Sequence, residues 1–468
     1  MTQELGMTEK DLIQARKNKL EKLKELGIDP YPSISGRSST IAVVIEKFTE
    51  LEKSKEPVCL AGRVFASRGH GKLVFLDLVD ESGKVQVVMK ADFLGEAFSI
   101  VPLIDLGDFV EVTGPVFRTN SGEISVESRE VKFLVKAIRP MPEKWHGLKD
   151  PETRYRERYT DLMVNEEVKA EFYKRSKIIQ KMRSFLLDMD FMEVDTPVLQ
   201  SIAGGATAKP FVTFYNAYER DVYLRIAPEL FLKRLLVGGY EKVFEFARCF
   251  RNEGVDATHN PEFTNLEFYW AYVDYEKMMG LVEKMIREVV KEINNGSLEM
   301  DIYGHKIDFS KPFEKKTFEE ISGGKNTDEA FKEGITKTIN PTFVINHPVE
   351  LLPLAKKNVA NPKVVDSFQL IIGGLELAKA FSELNDPIDQ RERFLDQMKL
   401  REKGDEEAQA LDEDFLKAIE YGMPPTSGCG IGIDRLVRAL TDSQTLREII
   451  FFPFMKPIKD QPKKEVKE

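Results

Sequence analysis

The densest run of chemically useful side chains is FEFARCFRNEGVDATHNPEFTNLEFYWAY, residues 244–272. Arg251 can grip a phosphate or a carboxylate through its planar fork. Glu253 stands two residues on, so both face one side if the run is a strand. Glu253 could accept from an adenine amino group or hold Arg251. His259 is a donor for a terminal phosphate, and Phe263 offers a flat apolar face to a base. Such a set suits attack of an already ionised carboxylate on a nucleotide α-phosphate, where no strong base is needed. Positioning and neutralisation of phosphate charge supply most of the rate. Singly, an Arg–Glu pair is usually surface electrostatics and a Phe usually core. Brought together on two adjacent strands, they point to function.

A second acidic cluster lies in GGLELAKAFSELNDP, residues 373–387. Glu376 and Glu383 are hard oxygen donors of the kind that bind Mg2+ beside nucleotide phosphates. Glu229, Glu267 and Tyr269, with Phe381 and Glu383, could line a pocket with acids at its end and an aromatic wall. That lining suits an ammonium on an apolar stem and rejects neutral side chains, which would leave buried carboxylates unpaired. Gly428, Gly430 and Gly432 imitate a dinucleotide fingerprint, but its third glycine would fall at Ile433 and no βαβ unit opens there.

These residues need elements to hold them. At 468 residues the chain suits two or three domains. We expect an α+β protein: a helical extension over 1–55, a five-stranded β-barrel of OB-fold type over 56–138, a linker over 139–165, a large domain over 166–457 and a frayed tail over 458–468. The barrel rests on five alternating runs, VCLAGRVFA, KLVFLDLVD, KVQVVM, DFVEVTGPVF and EISVESREVKFLV. Residues 8–27 read as a helix, either a solvated one with a packed edge or a basic one lying along RNA. The proline and charge in RPMPEKWHGLKDPETRYRERY read as a linker.

Composition narrows the classes. Three distant cysteines form no CxxC pair, and with five histidines neither a zinc site nor a disulfide framework is expected. A formal charge of −10 argues against an indiscriminate nucleic-acid binder, while leaving room for a local basic patch. The charged N-terminus lacks a signal-peptide core, and no run of about 18 apolar residues occurs, so no membrane span and a cytoplasmic location are expected.

FRNEG followed by HNPEF and LEFY resembles motif two of the class II aminoacyl-tRNA synthetases in its lysyl form. DFMEVDTPVLQ resembles motif one and GCGIGIDRLVRAL motif three, in the family's order and spanning about residues 57–457. The resemblance implies a catalytic domain built on an antiparallel β-sheet flanked by helices. It implies a lysine–tRNA ligase that uses ATP and Mg2+ and forms a homodimer with Pro197 at its interface. By resemblance, ATP meets Arg251, Glu253, His259, Asn260, Phe263, Glu376 and Arg435, with Arg251 and Arg435 catalytic. Glu229, Tyr269 and Glu383 surround the lysine ε-ammonium. Glu267 and the backbone at Gly205 hold its α-amino group, Phe381 packs on the stem, and Arg251 takes the carboxylate. Glu376 and Glu383 contact the metal. In the barrel, Arg68, Phe75 and Gln86 match positions that read the central uridine of the tRNA(Lys) anticodon. Phe75 read alone would be a barrel core residue.

Three positions depart from the pattern: Lys379 where asparagine is common, Gln369 where an acid is common near the metals, and Thr258 where arginine is common before His259. Lys379 is expected to point to the substrate carboxylate or the α-phosphate, since a cation beside an ammonium would hurt binding. Gln369 leaves the number of metal ions open. Competing readings are a lysine ligase acting on a translation factor, which would lack the barrel, and an aspartyl or asparaginyl enzyme, disfavoured by Glu229 and Glu383. A third is a catalytically dead nucleic-acid-binding regulator, which would be expected to lose Arg251, Glu376, Glu383 or Arg435. Rossmann-class synthetases are excluded by the missing HIGH and KMSKS signatures.

Overall fold

The structure is a computed structural model that describes residues 7–142, 148, 150–325, 327–405 and 407–458. Most of the tail read as frayed, from residue 459, therefore lies outside the described residues, as do 143–147 and 149 of the expected linker. The chain divides into two compact units, Met1–Gly147 and Leu148–Glu468.

In the first unit the expected helix is Glu9–Glu25, opened by a capping box between Thr8 and Asp11. Its basic residues divide between the two readings. Arg16 is buried and donates to the carbonyls of Ala137 and Arg139, and Lys19 pairs with Asp105. Lys10, Lys17, Lys22 and Lys24 are exposed.

The five expected strand runs appear as seven segments: β1 Val58–His70, β2 Leu73–Asp80, β3 Gly83–Lys90, β4 Phe109–Gly114, β5 Val116–Arg118, β6 Ile124–Ser128 and β7 Glu130–Val135. The fourth run breaks at Pro115, which lacks the N–H a ladder needs, and the fifth breaks at Arg129. The breaks close the barrel. The fourth run pairs with β1 through β4 and with the fifth through β5, while the fifth reaches β3 through β6 and β4 through β7. Every run thus has two neighbours. Leu60, Val64, Leu76, Leu78, Val87, Val112, Val126 and Phe133 fill the interior at alternate positions.

The second unit is built on an eight-stranded sheet, antiparallel through its centre, as expected. Its strands are β8 Met192–Glu193, β9 Leu199–Gln200, β10 Val212–Tyr215, β11 Arg220–Leu224, β12 Lys242–Phe250, β13 Glu262–Ala271, β14 Glu299–Ile302, β15 His305–Asp308, β16 Glu314–Thr317, β17 Thr342–Ile345, β18 Ser367–Ile372, β19 Leu375–Ser382 and β20 Thr426–Gly432. The large sheet runs β16-β17-β18-β19-β20-β13-β12-β8, with parallel pairs only at its two ends. Strands β9, β10 and β11 form a small sheet, and β14 and β15 a hairpin.

One face of the large sheet is packed by the helices Glu166–Leu187, Tyr275–Ile293 and Ile433–Leu440, whose apolar sides enclose Phe268, Leu370, Ala378 and Ile431. The Tyr275 helix buries eight residues in one stripe, including Met278, Val282, Met285 and Val289. The opposite face is left for the site.

The segment read as a linker is partly structured. Residues Pro151–Arg156 and Arg158–Val164 are helices. Charge there is buried rather than solvated: Asp161 accepts from Arg154, Arg158 and Asn165, and Arg158 also donates to the carbonyls of Arg447 and Phe451.

Candidate active site

A cavity of about 390 Å³ lies on the open face of the large sheet. Strand register explains its shape. In antiparallel pairs, directly opposed residues project to the same face. Ser367, Phe381, Gly428 and Tyr269 form one such row across β18, β19, β20 and β13; Gln369, Lys379, Gly430 and Glu267 form the next. Gly432 and Asn265 follow. The cavity runs along β13 past Tyr269, Glu267, Asn265 and Phe263, which all line it.

The three alternating glycines of β20 are its floor. A Cβ on Gly428 would collide with Glu383 Oε1 and the Tyr269 ring, and one on Gly430 would stand 3.4 Å from Asn265 Nδ2. The cavity thus exists because side chains are missing from that strand.

The acids gather at one end. Glu229, Glu267 and Glu383 are all buried and line the cavity with Tyr269. Glu267 accepts from Tyr269 Oη at 3.0 Å and from Asn265 Nδ2 at 2.9 Å. Burial, with Glu229 adding repulsion, pushes the Glu267 carboxyl up to about 8. Burial likewise raises the Tyr269 phenol and the Glu383 carboxyl well above their ordinary values, Lys233 opposing the rise at Glu383. Gly205 lines this end with a φ of +84° that favours glycine, its Cα packed so close to Glu229 that a Cβ would stand 3.0 Å from the Glu229 Cβ.

The cations gather at the other end. The Arg251 guanidinium stacks on Phe263, 5.0 Å from the ring centroid, and its Nε has no hydrogen-bond partner among the described residues. Arg435, near the start of the Ile433–Leu440 helix, has Nη2 3.2 Å from His259 Nε2. His259 Nδ1 lies 2.9 Å from Asp256, whose carboxyl, despite partial burial, is drawn down to about 2 by hydrogen bonds from Thr258 and His259. Thr258 also lies 2.9 Å from His259 Nδ1, so this departure orients the imidazole. Asn260 donates to the Glu262 carbonyl and lines the cavity.

Two geometric expectations change. Arg251 and Glu253 are not on a strand: β12 ends at Phe250, and a loop containing Gly254 and Pro261 carries both side chains into the cavity. Glu376 and Glu383 are not brought together. They stand seven residues apart on an extended run, on the order of 20 Å. Glu383 Oε2 pairs with Lys233 instead. Glu376 faces the cavity because of a bulge: Ala378 pairs with Leu370 but Glu376 with Ile371, so Leu377 is skipped. Gln369 Nε2, on the same face, donates to Glu376 Oε1 at 3.3 Å. Among the described residues no three His, Cys, Asp or Glu side chains stand together as a metal-ligand set. Glu376 alone fits a cation that brings most of its oxygens with a nucleotide.

Lys233 is the site residue that the sequence reading missed. It is fully buried on the helix Glu229–Val237, and Nζ donates to Glu229 Oε1 at 2.6 Å. Its signal was present as an i, i+4 Glu–Lys pair in APELFLK.

In the first unit, Arg68 pairs directly with Phe75, and Gln86 with Asp77, so all three side chains share one face of the barrel. Phe75 is half-buried and outside the core cluster, against the core reading. Arg68 Nη2 donates to Asp77 at 2.6 Å, and Gln86 accepts from Ser125. Pro197 is exposed, beside exposed Val198 and Leu199.

Residues 150–456 match the model of class II tRNA synthetases (D, K and N), and residues 58–134 that of the OB-fold nucleic acid binding domain. A lysine–tRNA ligase of Syntrophomonas wolfei is 47% identical over 97% of this chain and 98% of its own length. One of Moorella thermoacetica is 47% identical over 96% of this chain and 98% of its own. One of Porphyromonas gingivalis is 45% identical over 98% of this chain and 87% of its own. With the antiparallel sheet, the three motifs and the barrel all in place, the chain belongs to the class II tRNA synthetases of the D, K and N group, and within it to the lysine–tRNA ligases.

Proposed function

We propose that this chain activates L-lysine with ATP, giving lysyl-adenylate and pyrophosphate, and transfers lysine to the 3′-terminal ribose of tRNA(Lys). One observation carries the reading: a single cavity has Glu229, Glu267 and Glu383 at one end and Arg251 and Arg435 at the other. A molecule with ammonium groups at one end and phosphates at the other matches that polarity.

In this reading Glu229, Tyr269 and Glu383 surround the ε-ammonium, Phe381 packs along the stem, and Glu267 with the Gly205 backbone holds the α-ammonium. Arg251 takes the substrate carboxylate. Lys379, in the row beside Glu267, reaches the carboxylate or the α-phosphate. Phe263 and Glu253 receive adenine, and His259, Asn260 and Arg435 the outer phosphates. The lysine carboxylate oxygen bonds to the α-phosphorus as the bond to the pyrophosphate oxygen breaks. The carboxylate is already ionised, so the protein supplies alignment and charge neutralisation rather than a base. Glu376 would hold Mg2+, which would supply further neutralisation of the nucleotide charge. In the second step the terminal ribose hydroxyl attacks the acyl carbon and AMP leaves.

The barrel face bearing Arg68, Phe75 and Gln86 reads the anticodon, Phe75 by stacking and the polar pair by hydrogen bonds. A homodimer forms through the surface at Pro197, where exposed Val198, Leu199, Val212 and Phe214 lie on or beside the small sheet. The protein acts in the cytoplasm; among the described residues no helix is long and apolar enough to cross a membrane.

The test is ATP–pyrophosphate exchange with each of the twenty amino acids, then charging of tRNA with lysine. Exchange with lysine alone followed by charging is expected. Exchange without charging would favour a protein-modifying ligase, and no exchange a dead regulator.

A further inference from the structure

Lys233 has no role in the assignment above, yet it is the cation at the acidic end. Its ammonium lies behind the cavity wall: Lys233 is absent from the lining, while its partners Glu229 and Glu383 are part of it. Nζ is 5.5 Å from the centre of the Phe381 ring, which also lines the cavity. Glu383 Oε2 is ion-paired with Lys233, while Oε1 is buried with neither an ion pair nor a hydrogen bond among the described residues. That free oxygen is one a Cβ on Gly428 would strike, so it faces the glycine floor.

The charges can be counted. Glu245, the next acid on this face, is already answered by Arg225 at 2.5 Å. Three carboxylates remain, Glu229, Glu267 and Glu383, against one ammonium ion-paired to them, Lys233; Lys379, in the row beside Glu267, is assigned above to the substrate carboxylate or α-phosphate. With all three in the ionised form that holds an ammonium, two negative charges are left unanswered, and lysine brings two ammonium groups.

We propose that Lys233 is a positioning residue that sets the net charge of the pocket, standing as the buried counter-charge between Glu229 and Glu383 so that the remaining deficit matches an amino acid with two ammonium groups. The inference rests on the reading of this cavity as the lysine site. Two carboxylates in a water-poor site cannot both stay ionised without a counter-charge. Burial works against the Lys233 ammonium, but Glu229 and Glu383 together more than offset it. Without Lys233 two buried carboxyl groups would stand together with no cation between them, and the ε-ammonium would lose the arrangement that presents them to it.

The test is calorimetric titration of lysine into the full-length protein, Lys233→Met, Glu229→Gln and the double variant, with the thermal midpoint of each measured unliganded. Lys233→Met is expected to weaken lysine binding by about 100-fold or more, because one partner of a buried ion pair is gone. Removing Glu229 as well restores the balance of two carboxylates to two ammonium groups. The double variant is therefore expected to bind lysine at least about tenfold more tightly than Lys233→Met, and to melt above it. Losses that simply add would overturn the inference, since a packing role gives no such rescue. If Lys233→Met does not fold, the double variant is still expected to fold and bind, and its failure to fold would equally overturn the charge argument. A full-length protein that binds no lysine would instead remove the lysine reading of the cavity itself.

Discussion

At the scale of single residues, Glu267 makes substrate binding sensitive to pH. Its carboxyl, pushed up to about 8, carries a proton in the empty site at neutral pH. Holding an α-ammonium requires the ionised form, so lysine binding must release that proton. Lysine affinity is therefore expected to rise with pH, by at most about tenfold per unit, up to about pH 8. Titrations in buffers of different ionisation heat would show the released proton; a profile flat from about pH 6 to 8 would contradict it. The same shift acts on stability. A carboxyl whose folded value lies above its unfolded one destabilises the fold as pH rises between the two, so the empty protein should lose stability from about pH 5 toward 8. Most residues of the pocket were legible in the sequence, because Glu229, Tyr269, Phe381 and Glu383 sit in strings with recognisable chemistry. Lys233 was not: with Arg234 beside it and Leu232 and Leu235 around the pair, it reads as an exposed position between core residues. The direction of Glu376 was also hidden, because a bulge leaves no mark in the residues that form it.

At the scale of elements, β20 shows how a strand can serve by lacking side chains. Gly428→Ala places a methyl against Glu383 Oε1 and the Tyr269 ring, both held in a buried cluster. Lysine binding is expected to fall by about 100-fold, since the pocket must shift by about an ångström to admit it. ATP binding, measured separately by calorimetry, is expected to change far less. The alternating glycines were visible in the sequence, but only strand register reveals that all three face one cavity. The linker shows a converse failure: its charge looked like solvent exposure, whereas Asp161 and Arg158 are among the most buried polar groups in the protein. Asp161→Ala leaves the Arg158 guanidinium without its carboxylate and is expected to cost about 3–5 kcal/mol in denaturant unfolding. A loss below about 1 kcal/mol would mean that the carbonyls of Arg447 and Phe451 suffice to hold it.

At the scale of the whole molecule, the two units have separate cores, so damage to one chemistry should spare the other. Arg68→Ala is expected to lower kcat/KM for tRNA charging by about 10–100-fold, the worth of one or two hydrogen bonds to a base, and to leave lysine-dependent pyrophosphate exchange unchanged. Loss of exchange in that variant would contradict the division of labour. A closed barrel could be expected from its five strand runs, whereas the way it closes could not, because that depends on where two of the runs break and bend. That closure has a consequence for how the first unit meets other chains. Among the described residues β5, β7 and the Ala66–His70 end of β1 pair on one side alone, so the ladders left for a visiting backbone to extend are short. Recognition by this unit therefore falls chiefly to side chains on its outer wall, where identity can be discriminated, and a newly made copy offers its siblings only short seams along which to stack.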